Sequence, residues 1–370
     1  MKRLIDRLND SYDYSPITYF DSFLSVDPII GCQSNCQYCF MQITNWTGIR
    51  TPEQLYTVDQ IIKMLLNNRY FIANSTTLCF GNRTDSFLPS NITYTVNFIK
   101  ALEQLKLNNP LIIVTKKIIP EDVLQYIQNL EHVKVVFFIS YSGLPSHIEK
   151  GIKAQDSLNN FVNLKKHNIP AVHFWRPILE INSGSGQIRD VLAFTSKYAI
   201  ASVYIGLKLS KELNRIYKER DEYFHLPSNL DDYGEYFPEY AEIRILDIVQ
   251  SEFPVYPLYK HSSCAISLAL GIPDYNATVY KDSICRESQC PSWKRAICEN
   301  SKIIPEVSNV ESLLRRIGSH CRATVTPNHV EIFGELAQEE YVFLLHHLNY
   351  PIIAREIKYN LVLRGSIFKR

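Results

Sequence analysis

Three cysteines lie close together in the stretch GCQSNCQYCF, residues 31–40, with the spacing C-x3-C-x2-C. Cys32, Cys36 and Cys39 are candidates for a disulfide framework, a zinc site or an iron–sulfur cluster. A structural zinc site usually takes four ligands as two close pairs, but no fourth ligand follows nearby here. A cubane [4Fe–4S] cluster normally has four thiolates. With three, one iron stays open for a cofactor or substrate, and the spacing favours this interpretation.

A second group of cysteines occupies the C-terminal part of the chain with the spacing C-x20-C-x4-C-x7-C. Four thiolates suit a fully ligated auxiliary [4Fe–4S] cluster with a redox or structural role. A zinc site with four cysteine ligands and a set of scattered buried thiols are the alternatives. The four residues are Cys264, Cys285, Cys290 and Cys298.

Two cysteines belong to neither group. Cys79 lies inside a predicted strand, and we expect it in the core. Cys321 follows a histidine. We expect it to be a catalytic thiol that donates a hydrogen atom to a product radical, a replacement for one of the four ligands, or a buried thiol.

The composition of the chain limits its class. The 370 residues are 46% hydrophobic, which is enough for a large core. The N-terminal MKRLIDRLND lacks the apolar run of a signal peptide, and no stretch reaches the length of a membrane span. We therefore expect a cytoplasmic protein without a membrane partner, in which nine cysteines indicate metal ligands or catalytic groups. The net charge of +1 indicates no strongly basic surface for a polyanion.

Strands and helices that alternate along the chain are predicted to position the candidate site residues. Continuous apolar strands that alternate with amphipathic helices predict a parallel sheet covered by helices. Six such units predict an α/β fold with an open, partial (β/α)6 barrel, and the first cysteine loop follows its first strand. We expect the first helix to begin at Thr51, with Gln54 completing a capping box. The predicted strands are residues 26–30, 76–80, 111–115, 133–140, 169–175 and 201–209.

The pattern changes after residue 210. The segment 214–240 is polar, rich in tyrosine and loop-like, and the tail from about residue 322 alternates strand, helix and strand. We expect four regions: an N-terminal lead-in (1–24), the barrel (25–210), an extension with a cysteine-rich metal site (211–321) and a small α+β tail (322–370).

The motif C-x3-C-x-aromatic-C, with Tyr38 before the last cysteine, resembles the hallmark of the radical S-adenosylmethionine (radical SAM) superfamily. In that superfamily the open iron chelates S-adenosylmethionine, and one electron from the cluster cleaves its sulfonium. The resulting 5′-deoxyadenosyl radical abstracts hydrogen from a substrate. The resemblance thus implies a radical SAM barrel and an enzyme of the lyase or oxidoreductase type, supplied by a reductant such as flavodoxin or ferredoxin.

The resemblance also implies cofactor contacts at other positions. Tyr38 would flank the bound group, and FGNRTDSF (80–87) stands where the superfamily holds the methionine amine, although it departs from the frequent Gly-Gly-Glu form. Ser140 and Ser142 would bond the ribose hydroxyls, and Arg176 would pair with the methionine carboxylate. The candidates within the second motif are Gly81, Asn82, Thr84 and Asp85.

Two short motifs, TDSFLP (84–89) and IIVTKK (112–117), are most similar to the branch that holds spore photoproduct lyase and DNA-repair-photolyase-like enzymes. This similarity implies that Lys116 lies near the cofactor and that the substrate is a nucleic acid or nucleotide. Modification of a peptide or protein with the help of an auxiliary cluster is the alternative. A non-catalytic iron–sulfur or zinc protein is a third hypothesis, which an open coordination site disfavours.

Overall fold

A computed structural model describes residues 15–43, 51–219, 224, 226, 234–279 and 282–358. Its main sheet has the strand order β1-β2-β5-β6-β7-β8-β9-β10, and β11 pairs with β9. Within it, β2, β5, β6, β7, β8 and β9 run parallel. The strands are β1 Ile17–Tyr19, β2 Leu24–Val26, β3 Ile29–Ile30, β4 Glu53–Gln54, β5 Leu78–Phe80, β6 Pro110–Thr115, β7 Lys134–Ser140, β8 Ala171–Ile178, β9 Ala201–Leu209, β10 Gly234–Tyr236, β11 Leu258–Tyr259, β12 Arg322–Val325, β13 Val330–Ala337 and β14 Ile352–Lys358.

Helices connect the parallel strands, as the predicted (β/α)6 pattern requires. Six parallel strands form an open sheet, so the predicted fold class is confirmed. The helices are α1 Val58–Leu66, α2 Ile92–Gln104, α3 Glu121–Gln128, α4 Ala154–Lys166, α5 Ser185–Tyr198, α6 Lys211–Lys218, α7 Ala241–Glu252, α8 Ser262–Leu270, α9 Asn276–Val279, α10 Asp282–Glu287, α11 Ser292–Asn300, α12 Val307–Arg316 and α13 Gln338–Leu348. None of these described helices combines the length and apolar character needed to cross a membrane.

Both faces of the parallel sheet are buried. Successive side chains of a strand point to opposite faces, so neighbouring residues of β6 pack in different clusters. Leu111 and Ile113 of β6 pack in the cluster that contains the connecting helices. Ile112 and Val114 face the other side, where they pack with α8. The C-terminal extension therefore supplies the helix that covers the inner face of the barrel.

The first predicted strand is wrong in its limits. Residues 26–30 are not one strand, because the parallel strand ends at Val26 and Ile29–Ile30 pair with Glu53–Gln54 in a separate two-stranded sheet. Asp27 and Pro28 separate the two. The buried Asp27 carboxylate accepts hydrogen bonds from Ser25 Oγ at 2.7 Å and from the Arg83 backbone N–H at 2.9 Å. Proline cannot donate a backbone hydrogen bond to a sheet.

The predicted helix start at Thr51 is also wrong. The helix begins two turns later, with Thr57 as its N-cap and Gln60 completing the capping box. The segment before it is held as a strand, and the Leu55 N–H donates to the Pro28 carbonyl at 2.9 Å. Sheet pairing thus overrides a local helix signal. The loop-like region after residue 210 was likewise predicted incompletely, since it begins with α6, whose N-cap is Ser210.

The tail forms a small three-stranded sheet in the order β12-β13-β14, with α13 packed against it. Phe343 of α13 contacts Tyr19 of β1 edge-on, at 6.0 Å between ring centroids. His346 Nε2 donates to the Asp21 carbonyl at 2.8 Å. The tail therefore packs beside the antiparallel edge of the main sheet. The predicted limits of the four regions remain a prediction.

Candidate functional site

The first cysteine loop follows β3 and is held against the segment that follows β7. The Gln37 N–H donates to the Ile148 carbonyl at 3.0 Å, and Cys36 forms an isolated bridge with Glu149. The Gly151 N–H donates to the Ser34 carbonyl at 2.9 Å. Backbone contacts along the segment therefore fix the positions from which the three thiols project.

The three thiols of this loop are partly buried. Burial raises the pKa of Cys36 to about 12 and that of Cys39 to about 11, and it also raises the pKa of Cys32. The positive charge of Lys116 opposes the rise at Cys36 and Cys39. The thiols are therefore protonated at neutral pH, and iron binding must release their protons.

Tyr38, Glu149 and Lys116 form a connected group beside the loop. The Tyr38 hydroxyl donates to Glu149 Oε1, and Lys116 Nζ donates to the same oxygen at 2.8 Å. The Glu149 side chain is 7% exposed and the Lys116 side chain 13%. Tyr217 Oη of α6 donates to the Tyr38 carbonyl at 2.9 Å. The Glu149 carboxylate therefore holds both the Tyr38 hydroxyl and the Lys116 amine next to the cysteines.

The guanidinium of Arg176, at the carboxyl end of β8, lies within electrostatic range of Cys39, Cys79 and Tyr38. Its Cζ is 3.9 Å from the centroid of the Phe174 ring. Burial lowers the pKa of Arg176, and the nearby Tyr38 and cysteine groups oppose this effect. Among the described residues it pairs with no carboxylate, which leaves the guanidinium available for an anion.

The two serines after β7 differ in their surroundings. Ser140 Oγ is buried and has no hydrogen-bond partner among the described residues. Ser142 Oγ instead accepts the Leu144 N–H at 3.2 Å and so caps the turn. Of the two predicted ribose contacts, Ser140 therefore keeps an unused hydroxyl, whereas Ser142 already has a structural partner.

The turn after β5 is held mainly by its own residues. Gly81 has φ +69°, and a Cβ there would meet Ser86 Oγ at 2.3 Å, so glycine is needed. The Asn82 backbone N–H donates to the Asp27 carboxylate. Thr84 Oγ1 donates to the Gly31 carbonyl at 2.6 Å, next to Cys32. These contacts tie the turn to the cysteine loop.

Asp85 of the same turn joins it to the end of β6. Its carboxylate accepts hydrogen bonds from Thr115 Oγ1 at 2.7 Å and from the backbone N–H of Lys116 at 2.8 Å. Burial raises the pKa of Asp85, and these donors oppose that effect. Asp85 therefore orients Lys116 and holds the turn together.

The four cysteines of the second group line one small cavity. Cys264 comes from α8, Cys285 from α10, Cys290 from the loop before α11, and Cys298 from α11. That these four residues bind one metal centre remains a prediction. Tyr259, Asp274 and Lys294 line the same cavity.

Hydrogen-bond donors and acceptors surround these four sulfurs. Asn276 Nδ2 donates to Cys264 Sγ at 3.7 Å, and Lys294 Nζ donates to Cys298 Sγ at 2.8 Å. A hydrogen bond from the Cys285 thiol lowers the pKa of Cys290 to about 6, and the Tyr259 hydroxyl contributes in the same direction. The donor set of four thiols with outer hydrogen bonds fits a thiolate-ligated cofactor.

Cys321 lies away from both cysteine groups. It precedes β12 in the tail sheet, where its thiol donates to the Glu335 carbonyl at 3.4 Å and packs beside Gly334. The structure brings it together neither with Cys32, Cys36 and Cys39 nor with the second cavity. Cys79 is fully buried in the inner-face core, as expected.

Glu149, Gly151 and Lys294 are among the residues of these sites that were not predicted from the sequence. Glu149 and Gly151 follow β7 in an irregular segment whose local pattern gives no signal for pairing with a loop over 100 residues earlier. Lys294 does carry a signal, because it stands four residues before Cys298 and so shares a helix face with it. Within the described part of the chain, no three His, Cys, Asp or Glu side chains converge as the ligands of one metal ion.

Comparison of the sequence with protein-family models and with curated proteins finds no match. Among solved structures, the chain is similar to spore photoproduct lyase complexed with a dinucleoside spore photoproduct, at 15% identity and a TM-score of 0.48, over 65% of this chain and 78% of that one. It is also similar to SuiB of Streptococcus suis bound to S-adenosylmethionine, at 13% identity and a TM-score of 0.38, over 54% of this chain and 48% of that one.

A further SuiB structure, bound to the precursor peptide SuiA, gives 13% identity and a TM-score of 0.39 over 60% of this chain and 49% of that one. At these identities and TM-scores, the chemistry of the site follows only from this chain's own residues. The chain folds as an open (β/α)6 sheet with a C-terminal extension.

Proposed function

We propose that the chain is a radical SAM enzyme, with a [4Fe–4S] cluster on Cys32, Cys36 and Cys39 and S-adenosylmethionine bound beside it. One observation carries the proposal. Arg176, which has no carboxylate partner among the described residues, interacts electrostatically with Cys39, one of the three closely spaced thiols of the loop. Three thiolates suit an iron cluster with one open position, and a guanidinium suits the carboxylate of an amino acid.

Other features of the site also fit these cofactors. The unused Ser140 hydroxyl suits a ribose hydroxyl. When bound, the cluster and S-adenosylmethionine would supply one-electron cleavage of the sulfonium and a radical for hydrogen abstraction. The protein binds and orients the cofactor, and its buried walls exclude water.

Each side chain of the site then has a definite task. Arg176 binds the carboxylate, and its contact with Phe174 fixes the plane of the guanidinium. Lys116 is held by Glu149 and places a positive charge beside the cysteines. Tyr38 is held through its hydroxyl, so its ring forms a rigid wall next to Cys39. A low-potential reductant such as flavodoxin or ferredoxin would supply the electron, and the reducing cytoplasm suits both cysteine groups.

The second cysteine group would hold an auxiliary [4Fe–4S] cluster on Cys264, Cys285, Cys290 and Cys298. The support is that all four line one cavity. Because four thiolates leave no iron open, this cluster would transfer electrons or stabilise the extension rather than bind S-adenosylmethionine.

The test of the proposed function is reconstitution with iron and sulfide without oxygen, followed by reduction in the presence of S-adenosylmethionine. We expect 5′-deoxyadenosine and methionine as products, with about eight irons per chain. A variant with Cys32, Cys36 and Cys39 changed to alanine should keep about four irons and form no 5′-deoxyadenosine. An active triple variant, or a reconstituted protein that leaves S-adenosylmethionine intact, would contradict the proposal.

For the substrate we propose a nucleic acid or nucleotide. Helix α6 supports this class, because Lys211, Arg215 and Lys218 follow at i, i+4 and i+7 and are all exposed. The opposite face of α6 contacts the cysteine loop through Tyr217. Three exposed basic side chains, with Glu212 and Glu219 between and beside them, thus lie on a helix next to the first cysteine loop.

A variant with Lys211, Arg215 and Lys218 changed to glutamate tests this substrate class. We expect weaker binding of DNA oligonucleotides and a salt dependence whose slope decreases by about one unit for each phosphate that the variant no longer neutralises. A matched variant with the exposed Lys63, Lys134 and Lys302 changed to glutamate should keep most of the affinity. Equal decreases in affinity in both variants would contradict a specific nucleic-acid surface at α6.

Modification of a peptide is the second candidate, and the second cysteine cavity favours it, because an auxiliary cluster suits an oxidative peptide modification. Peptide substrates would bind without strong dependence on salt. Hydrogen abstraction from a peptide but not from an oligonucleotide would favour this candidate over the first.

A further inference from the structure

Lys294 is a buried lysine in the wall of the second cysteine cavity. Its relative exposure is 1%, and its amine donates to Cys298 Sγ at 2.8 Å. Among the described residues no carboxylate pairs with it. An ammonium is costly to bury without negative charge near it. Asp274 lines the same cavity, where its carboxylate accepts the Cys264 thiol at 3.5 Å, and the sulfur in contact with Lys294 is that of Cys298.

The local sequence explains how the lysine reaches this place. Pro291 precedes α11, and its carbonyl accepts the Lys294 N–H at 3.0 Å in the first turn. Lys294 and Cys298 are four residues apart and lie on one face of α11, and both are buried. Trp293, the adjacent residue, is 52% exposed, which shows that the helix turns Lys294 and not its neighbour toward the cavity.

The charge of Lys294 reaches more than one cysteine. It acts on Cys264 and Cys290 in the direction that favours their thiolates, in addition to its direct contact with Cys298. The cavity thus combines four thiols, the Asp274 carboxylate and the Lys294 amine. Hydrogen bonds to ligand sulfurs and nearby charge are known to set the reduction potential of iron–sulfur clusters.

We propose that Lys294 is the charge-compensating donor of the second cluster and raises its reduction potential through its contact with Cys298. This inference rests on the proposed auxiliary cluster. Reduction adds a negative charge to the cluster, and a buried ammonium in contact with a ligand sulfur stabilises that added charge more than the oxidised state. Lys294 is in this sense a positioning and tuning residue, not a ligand.

The test uses the full-length chain with Cys32, Cys36 and Cys39 changed to alanine, so that only the second cluster contributes to the EPR signal. In this background Lys294→Met removes the charge and the hydrogen bond, whereas Lys294→Gln removes the charge and keeps an N–H donor. We expect a lower midpoint potential in an EPR-monitored redox titration for both variants, with the larger decrease for Lys294→Met. Lys294→Arg should restore the potential toward that of the parent.

The exposed Lys302, in the turn just after α11, gives the matched control, and Lys302→Met should leave the potential unchanged. Unchanged potentials in both Lys294→Met and Lys294→Gln would overturn the inference. If Lys294→Met does not fold, Lys294→Gln and Lys294→Arg still decide the question. Zinc, or no metal, in the cysteine-to-alanine parent would overturn the auxiliary cluster itself, and cleavage of S-adenosylmethionine by the unmodified chain tests the first site independently.

Discussion

Gly151 and Ser34 are in direct backbone contact, because the Gly151 N–H donates to the Ser34 carbonyl at 2.9 Å across a sequence separation of more than 100 residues. A Cβ at Gly151 would lie 2.7 Å from both the Ser34 Cα and its carbonyl oxygen. Both of these are backbone atoms, which cannot move aside as a flexible side chain can. The absence of a side chain at residue 151 is therefore what allows the cysteine loop to lie against the segment after β7.

Gly151→Ala should displace the cysteine loop and lower the free energy of unfolding by about 1–3 kcal/mol, the usual cost of overpacking. It should also reduce iron loading at the first site, measured as about four fewer irons per chain after reconstitution. Gly186→Ala is the control, since a Cβ there meets nothing within 4 Å and the residue lies in α5. It should be neutral or slightly stabilising. Equal iron content in the two variants would show that the contact does not position the cysteines.

The ion pair of Lys116 and Glu149 gives a second prediction. Lys116→Met leaves a mostly buried carboxylate without its cation, which should lower the free energy of unfolding by about 3 kcal/mol in urea titrations of the apoprotein. The double variant Lys116→Met/Glu149→Gln should recover more than half of this decrease, because a neutral amide still accepts the Tyr38 hydroxyl.

The exposed pair of Lys166 and Glu121 serves as the comparison, with side chains 69% and 47% exposed. Lys166→Met should lower the free energy of unfolding much less than Lys116→Met does. If the double variant of the buried pair is no more stable than Lys116→Met alone, the cost does not come from an unpaired Glu149.

Arg176 gives a prediction on cofactor binding. Arg176→Gln removes the charge at the end of β8, and removing a charge-assisted hydrogen bond costs about 1.5–3 kcal/mol. S-adenosylmethionine should therefore bind about 10- to 100-fold more weakly to the reconstituted protein in equilibrium titrations, a range that follows from this free energy. Iron content should stay at the level of the unmodified chain. Unchanged affinity would mean that the cofactor carboxylate binds elsewhere.

The parts of the fold that local periodicity controls could be predicted from the sequence. The apolar runs 111–115 and 201–209 correspond to β6 and β9, because strands buried on both faces must be apolar throughout. The predicted helix start at Thr51 is wrong. The segment Thr51-Pro52-Glu53-Gln54 has the sequence of a capping box, but its last two residues pair with Ile29–Ile30. No local sequence pattern shows which distant strand such a segment will pair with.

The candidate sites were predictable to a similar degree. Close spacing led to the prediction for the first three cysteines, and counting led to the prediction for the second four. The cavity that the second four line depends on how α8 packs against the barrel, which no local pattern shows. Cys321 was considered because it belonged to neither cysteine group, not because of its spacing. The fold places Cys321 just before β12 of the tail sheet. Glu149 was not found, because a single glutamate in a loop is usually a solvated residue.

A buried chain of hydrogen bonds at His173 makes the stability of the protein depend on pH. His173 Nε2 lies 2.9 Å from the Tyr141 carbonyl, which can only accept, so this nitrogen carries the proton. In the neutral ring Nδ1 must then accept, and the Ser202 hydroxyl donates to it at 2.8 Å. The Tyr256 hydroxyl lies 3.0 Å from Ser202 Oγ and completes the chain. Every member is therefore satisfied only when the histidine is neutral.

Burial lowers the pKa of His173 to about 3 in the folded protein, whereas an unfolded histidine titrates near 6.5. Between these values the unfolded chain binds the extra proton, so the free energy of unfolding decreases as the pH falls below about 6.5. We expect His173→Gln, which cannot titrate, to be less stable than the unmodified chain at pH 7.5 but to lose less stability between pH 7.5 and 5.5. Urea unfolding of the apoprotein at both pH values measures this difference. The exposed His320→Gln should keep the pH dependence of the unmodified chain, and an equally steep dependence in His173→Gln would assign the effect to another group, such as the half-buried His347.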